Sequence, residues 1–171
     1  AGIILDHHLY TGFAGTAGEA GHMIVQPGGR SCPCGNHGCL EQYISEPAVL
    51  SRYQELSGRT TVSIDDLVWR YNQKDADALA VVDEFTTYLA CGINNLWNLF
   101  SPECIILNSQ LTAYLPQLLP EILQKLSARF RATCQLKLST LQDTGVLLGA
   151  ARVCISKYLG IEKLYFSGFQ P

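Results

Sequence analysis

Gly18–Glu41, GEAGHMIVQPGGRSCPCGNHGCLE, carries three of the chain's seven cysteines within eight residues, as Cys32-Pro33-Cys34-Gly35-Asn36-His37-Gly38-Cys39. Glycine and proline punctuate the run from Pro27 to Gly38, so the backbone there forms a folded loop and not a helix or strand. His22 lies ten residues ahead of Cys32, and Glu41 follows two residues after Cys39. Zinc prefers thiolate and imidazole ligands in a tetrahedron. The intervening glycines let the backbone wrap an ion without Cβ clashes. The expected ligands are Cys32, Cys34, Cys39 and His22, with His37, inside the loop, as the competing fourth donor. Three sulfurs and one imidazole leave no open position, so the ion would be structural. Such a site contributes on the order of 10 kcal/mol to local folding.

Glu19, His22 and Glu41 have a second role open to them. A backbone bulge at Ala20-Gly21 would point Glu19 and His22 into one cleft, and Glu41 opens the helix after the loop. Carboxylates accept hydrogen bonds from hydroxyls, and a ring of them with a histidine is one way to hold a sugar. On spacing alone, two solvated surface glutamates are the preferred reading.

The remainder bounds the class. The length of 171 residues suits one domain with a substantial core. Charged residues are 16% and the formal net charge is -3, so this chain lacks the basic stripe of a nucleic-acid-binding module. It shows no secretory signal and no uninterrupted apolar run of membrane-spanning length. An odd cysteine total with clustered spacing favours a reducing cytosol and metal binding over disulfides. The isolated Cys91, Cys104, Cys134 and Cys154 are expected to be small core residues. The chain opens without Met, directly on Ala1-Gly2-Ile3-Ile4-Leu5-Asp6, which points to a fragment of a longer protein.

In chain order, strands are expected at Ile3–Leu5 and Leu9-Tyr10, around a turn at Asp6-His7-His8. A further strand is expected within Glu19–Gln26, at His22–Val25. A helix starts at Cys39–Ser45, and another follows Pro47 to about Glu55. Ser63 caps a helix through about Tyr71. From Asp75 to Phe100, apolar residues recur at three and four, so one long helix buries a face. Cys104–Leu107 is a short apolar strand of the type buried on both faces. Leu118–Phe130 is a helix, Leu136–Ser139 a strand and Thr144–Leu159 a last helix, with Gly149-Ala150-Ala151 as a close-packing face. The tail, Tyr165 to Pro171, has no clear period. Strands alternating with helices give an α/β layered fold.

Glu19-x-Gly21-His22 followed by Cys32-x-Cys34-Gly35-x-x-Gly38-Cys39-Leu40-Glu41 resembles the signature of the ROK family of bacterial sugar kinases and sugar-responsive repressors. Asn98-Leu99-Phe100-Ser101-Pro102 with the strand Cys104–Leu107, and Gly149-Ala150-Ala151, are similar to further family segments, so the likeness covers nearly the whole chain. It implies the C-terminal lobe of an actin-like, hexokinase-type (ribonuclease H-like) ATPase fold, with residues 1–171 as one C-terminal domain. It implies structural zinc on His22, Cys32, Cys34 and Cys39, and sugar contacts from Glu19, His22 and Glu41. His22 would serve both sets, since ligation by one ring nitrogen orients the other.

Two departures from the kinase pattern bear on activity. The family's general-base aspartate and first phosphate loop belong to an N-terminal lobe outside this chain. The paired glycine that admits nucleotide after the strand is replaced by Asn108-Ser109. The resemblance therefore implies the sugar-sensing, dimerising part of a cytoplasmic transcriptional regulator of the NagC/XylR type. Its partners would be a sugar or amino-sugar effector and a second copy of itself, with DNA reached only through an N-terminal region absent here. The alternative is the C-terminal lobe of an ATP-dependent hexose or amino-sugar kinase.

Overall fold

The computed structural model describes residues 1–141 and 144–160. The expected irregular tail, Tyr165 to Pro171, lies outside them. The chain divides into two compact units, one drawn from Ala1–Gly18 with the described part of Leu141–Pro171, the other Glu19–Thr140.

In the first unit, β1 (Ile4–Leu5) pairs antiparallel with β2 (His8–Leu9), in the register Ile4↔Leu9 and Leu5↔His8. The two linking residues, Asp6 and His7, have φ of 50° and 68°. A two-residue hairpin needs this left-handed backbone to match strand twist, and Asp and His are among the non-glycine residues that tolerate it. The Asp6 carbonyl lies 2.7 Å from His8 Nδ1.

Helices dominate the second unit. α1 (Glu41–Ile44), α2 (Glu46–Ser57), α3 (Ile64–Asn72) and α4 (Ala76–Phe100) come first. β3 (Cys104–Leu107) follows, then α5 (Gln110–Tyr114), α6 (Leu118–Lys125), α7 (Ala128–Thr133) and β4 (Gln135–Leu138). The caps were legible in the sequence. Ser45 accepts from Ala48 N, Asp75 from Ala78 N, and Ser63 forms a reciprocal capping box with Asp66. Gly58, at φ 67°, closes α2 two residues beyond the expected end.

α4 is the spine. Its inward residues Val81, Val82, Phe85, Ile93 and Trp97 are buried, and α1, α2, α3 and α6 all pack against it. Strands β3 and β4 are parallel, from Cys104↔Gln135 to Leu107↔Leu138, with α5–α7 as the crossover. Parallel neighbours require such a long connection.

Several expectations change. His22–Val25 is not a strand: Ala20–His22 is a single 3-10 turn, and Ile24 bridges Cys39 alone. Val25 and Gln26 both donate to the Gly38 carbonyl, so one acceptor takes two donors and the ladder stops. Leu118–Phe130 is two helices, because Leu126 is extended and Ser127 caps the second. That break drops the fully buried Phe130 edge-on against Trp97, centroids 5.8 Å apart. β3 is not buried on both faces, since Ile106 stays 65% exposed on a two-stranded sheet.

The last helix, α8 (Thr144–Leu159), belongs to the first unit; among the described residues it has none buried, and no atom would lie within 4 Å of a Cβ at Gly149, so they show no close packing at that face. Of the isolated cysteines, Cys134 is buried, Cys91 and Cys104 are half-buried and Cys154 is exposed. No helix among the described residues is long and apolar enough to cross a membrane.

Ile122, wholly buried on α6 in the core around α4, tests this packing. Ile122→Ala is expected to cost about 2–5 kcal/mol in chemical denaturation, since little around a central position can collapse into the void.

Candidate metal centre and carboxylate cleft

The loop from Met23 to Leu40 doubles back on itself. Leu40 N donates to the Met23 carbonyl, Gly38 N to Arg30 O at 2.7 Å, and Cys32 N to Asn36 O. Gly35 and Gly38 have φ of 93° and 81°, a region that disfavours side chains. At Gly38 a Cβ would also fall 1.7 Å from the Gln26 carbonyl oxygen. These turns bring Cys32, Cys34 and Cys39 round to His22, which the 3-10 turn presents from the other side.

One ligand atom from each of His22, Cys32, Cys34 and Cys39 lies within 4.8 Å of all the others. Cys34 Sγ and Cys39 Sγ are 3.6 Å apart, and Cys32 Sγ is 3.7 Å from His22 Nδ1. Donors held at about 2.0–2.3 Å from a tetrahedral zinc sit roughly 3.5–3.8 Å from one another. Donor chemistry and spacing therefore both fit a metal such as zinc. His37 is exposed on the bridge Ser31↔His37 and stands outside the cluster.

Burial pushes the Cys32 thiol up to about 12, with its 3.0 Å hydrogen bond to Glu41 Oε1 adding to the rise. Burial likewise raises Cys39, whereas the Asn36 backbone amide lowers Cys34. At neutral pH a metal must displace the Cys32 proton, so metal affinity falls as pH falls.

The carboxylates flank the histidine. His22 Nδ1, on the cluster side, is 3.5 Å from Glu41 Oε1, and Nε2 is 3.8 Å from Glu19 Oε2. The 3-10 turn does the work expected of a bulge, placing Glu19 and His22 together. Gly21 leaves room for Glu41: a Cβ there would lie 3.3 Å from Glu41 Cβ. The Glu19 side chain is 72% exposed and Glu41 35%, so the edge is open to solvent.

The sequence reading missed the groups that moor the loop. Arg30 Nη1 donates to the Gln42 carbonyl at 2.7 Å, and its guanidinium lies 4.5 Å from the Tyr43 ring centre. Arg30 Nη2 pairs with Glu84 on α4, whose other oxygen accepts from Arg52 Nε at 3.1 Å. Tyr43 stacks on Tyr88 at 4.0 Å, and Tyr88 Oη donates to Gln26. An arginine among loop glycines was a visible signal; its partner 54 residues on was not. Ser109, at the expected nucleotide position, caps α5 through Thr112.

The α/β chain carries a cluster of three cysteines and one histidine that fits a metal, beside a carboxylate edge, and its structural neighbours share the actin-like ATPase fold. The chain belongs to the ROK family, whose model matches residues 1–157. It is 34% identical over 167 residues to the xylose repressor of Bacillus spizizenii, covering 95% of this chain and 43% of that protein. Among solved structures it resembles a ROK family transcriptional regulator, a homologue of the Escherichia coli MLC protein, with a TM-score of 0.71 at 30% identity over 94% of this chain and 44% of the other. It also resembles the ROK hexokinase of Thermus thermophilus, TM-score 0.75, 26% identity, over 91% and 54%. The chain thus spans about half the length of these relatives.

Cys34→Ser removes one donor; Gly38→Ala keeps all four but drives a Cβ into the Gln26 carbonyl. Both are expected to lower bound metal below that of the parent chain by mass spectrometry. Unchanged stoichiometry in both variants would rule the cluster out as a metal site.

Proposed function

We propose that this chain is the sugar-sensing and dimerising part of a cytoplasmic ROK-type transcriptional regulator, corresponding to the family's C-terminal half. A structural zinc ion sits on His22, Cys32, Cys34 and Cys39, and Glu19, His22 and Glu41 take the sugar hydroxyls. The observation that carries this is the placement of His22, whose Nδ1 lies 3.7 Å from a cluster sulfur while Nε2 faces Glu19. Zinc on Nδ1 leaves Nε2 as the protonated nitrogen, a fixed donor to a sugar oxygen. The two glutamates accept from neighbouring hydroxyls. When bound, zinc supplies folding energy and orientation and performs no chemistry on the sugar.

The repressor relative and the regulator structure support sensing, and D-xylose is the first effector to try. DNA contact belongs to a preceding region, and a second copy docks through this half, with α4 the candidate surface.

The kinase reading has its own support in the hexokinase likeness. There, an aspartate of a preceding lobe would take the sugar proton and ATP would donate the phosphoryl group. Ser109 weighs against it, since its hydroxyl is spent on a helix cap where nucleotide must approach backbone. ATP turnover by the full-length protein over a panel of hexoses and amino sugars separates the two; robust phosphorylation would overturn the regulator reading.

Glu41→Gln is expected to weaken sugar binding about tenfold by calorimetry, as a charged acceptor is lost. Zinc content should stay at the parent level. An unchanged affinity would remove Glu41 from the sugar site.

A further inference from the structure

We propose that Arg30 and Glu84 are positioning residues of the sugar site, holding the first turn of α1, and with it Glu41, against α4. The proposal rests on the sugar reading of Glu19, His22 and Glu41 and adds two residues that touch neither the sugar-facing atoms nor the metal cluster.

α1 has only four residues, too few for a helix to hold itself in water. Its direction must come from outside contacts, and the Arg30 guanidinium supplies two. It donates to the Gln42 carbonyl and lies over the Tyr43 ring, while its pairing with Glu84 ties it to α4. The Arg30 backbone amide adds a 3.0 Å bond to Tyr43 Oη. Gln42 then transmits the hold, as its side-chain amide donates to Glu41 Oε1 at 3.3 Å.

Glu84 fixes the far end. Both its oxygens are used, one by Arg30 and one by Arg52, which also pairs with Glu55 at 3.0 Å. The Arg30 and Glu84 side chains are 32% and 24% exposed, so water screens this pair less than a surface one. A planar fork serving two acceptors while stacked on a ring is a geometry lysine cannot copy. Glu84 lies within α4, so this guanidinium couples that helix to the Gln42 carbonyl beside Glu41, alongside the Tyr43–Tyr88 stack.

The test is calorimetric titration of D-xylose, D-glucose and N-acetyl-D-glucosamine into the zinc-loaded full chain. Glu84→Gln leaves one arginine facing an amide NH2, and Arg30→Lys keeps the charge but loses the fork. Each should weaken the sugar the parent binds about tenfold. Zinc content should stay at the parent level, and the double variant should be no worse than either single, as expected of one coupled unit. Arg52→Gln leaves the Arg30–Glu84 pair and should keep parental affinity, which a general stabilising role would not predict. Affinities within about twofold of the parent in both singles, additive losses, or zinc loss alongside them would overturn the proposal. A parent chain that binds none of the three sugars would instead overturn the sugar reading on which it stands.

Discussion

Four donor atoms from His22, Cys32, Cys34 and Cys39 can share a sphere of a few ångströms only because the backbone reverses at Gly35 and Gly38. Those reversals need positive φ, and at Gly38 they also need a missing Cβ. Everything nearby depends on this tight loop. It sets the direction in which the chain enters α1, and therefore where Glu41 stands relative to His22. A metal completing the cluster would replace weak contacts between half-satisfied sulfurs with bonds of fixed length and angle. The loop would then become rigid enough to aim an imidazole.

A rigid loop alone would still be a tethered appendage. It becomes part of the fold through α4. Leu40 packs so closely on that helix that a Cβ at Gly92 would lie 2.5 Å from Leu40 Cδ2. Tyr43 stacks on Tyr88, and Arg30 reaches Glu84. The apolar contacts supply most of the adhesion, since area removed from water scales with side-chain size. The ion pair supplies direction instead, because a guanidinium held between a carboxylate and a backbone carbonyl tolerates little rotation. The long helix is thus both core spine and mount for the cleft.

Much of this was legible in the sequence. The three cysteine donors and the exclusion of helix or strand from the loop follow from residue type and spacing. So do the caps at Ser45, Ser63 and Asp75 and the buried face of the helix they lead to. His22, by contrast, competed with His37, and the two glutamates stood out only through the family resemblance. Other expectations failed. His22–Val25 has strand composition, yet its ladder ends where the Gly38 carbonyl takes two donors. Leu118–Phe130 has helix composition, yet Ser127 restarts it so that Phe130 can reach Trp97. Cys104–Leu107 is apolar throughout, yet a two-stranded sheet leaves Ile106 exposed. In the first two cases a contact outside the segment outweighed a local preference, and in the third no described element covers the outer face.

By itself the sequence determined what lies together in the loop: three thiols at loop spacing, and glycines where a backbone must turn left-handed. Those are properties of residue identity and short-range sterics. Only the tertiary structure decided that His37 stands aside while His22 faces both sets. It alone brought Gln42 Nε2 to Glu41 Oε1 and the Gln42 carbonyl to an arginine anchored on α4. Such choices depend on distances between residues up to 54 positions apart. Long-range packing sets those distances, and no local pattern encodes them.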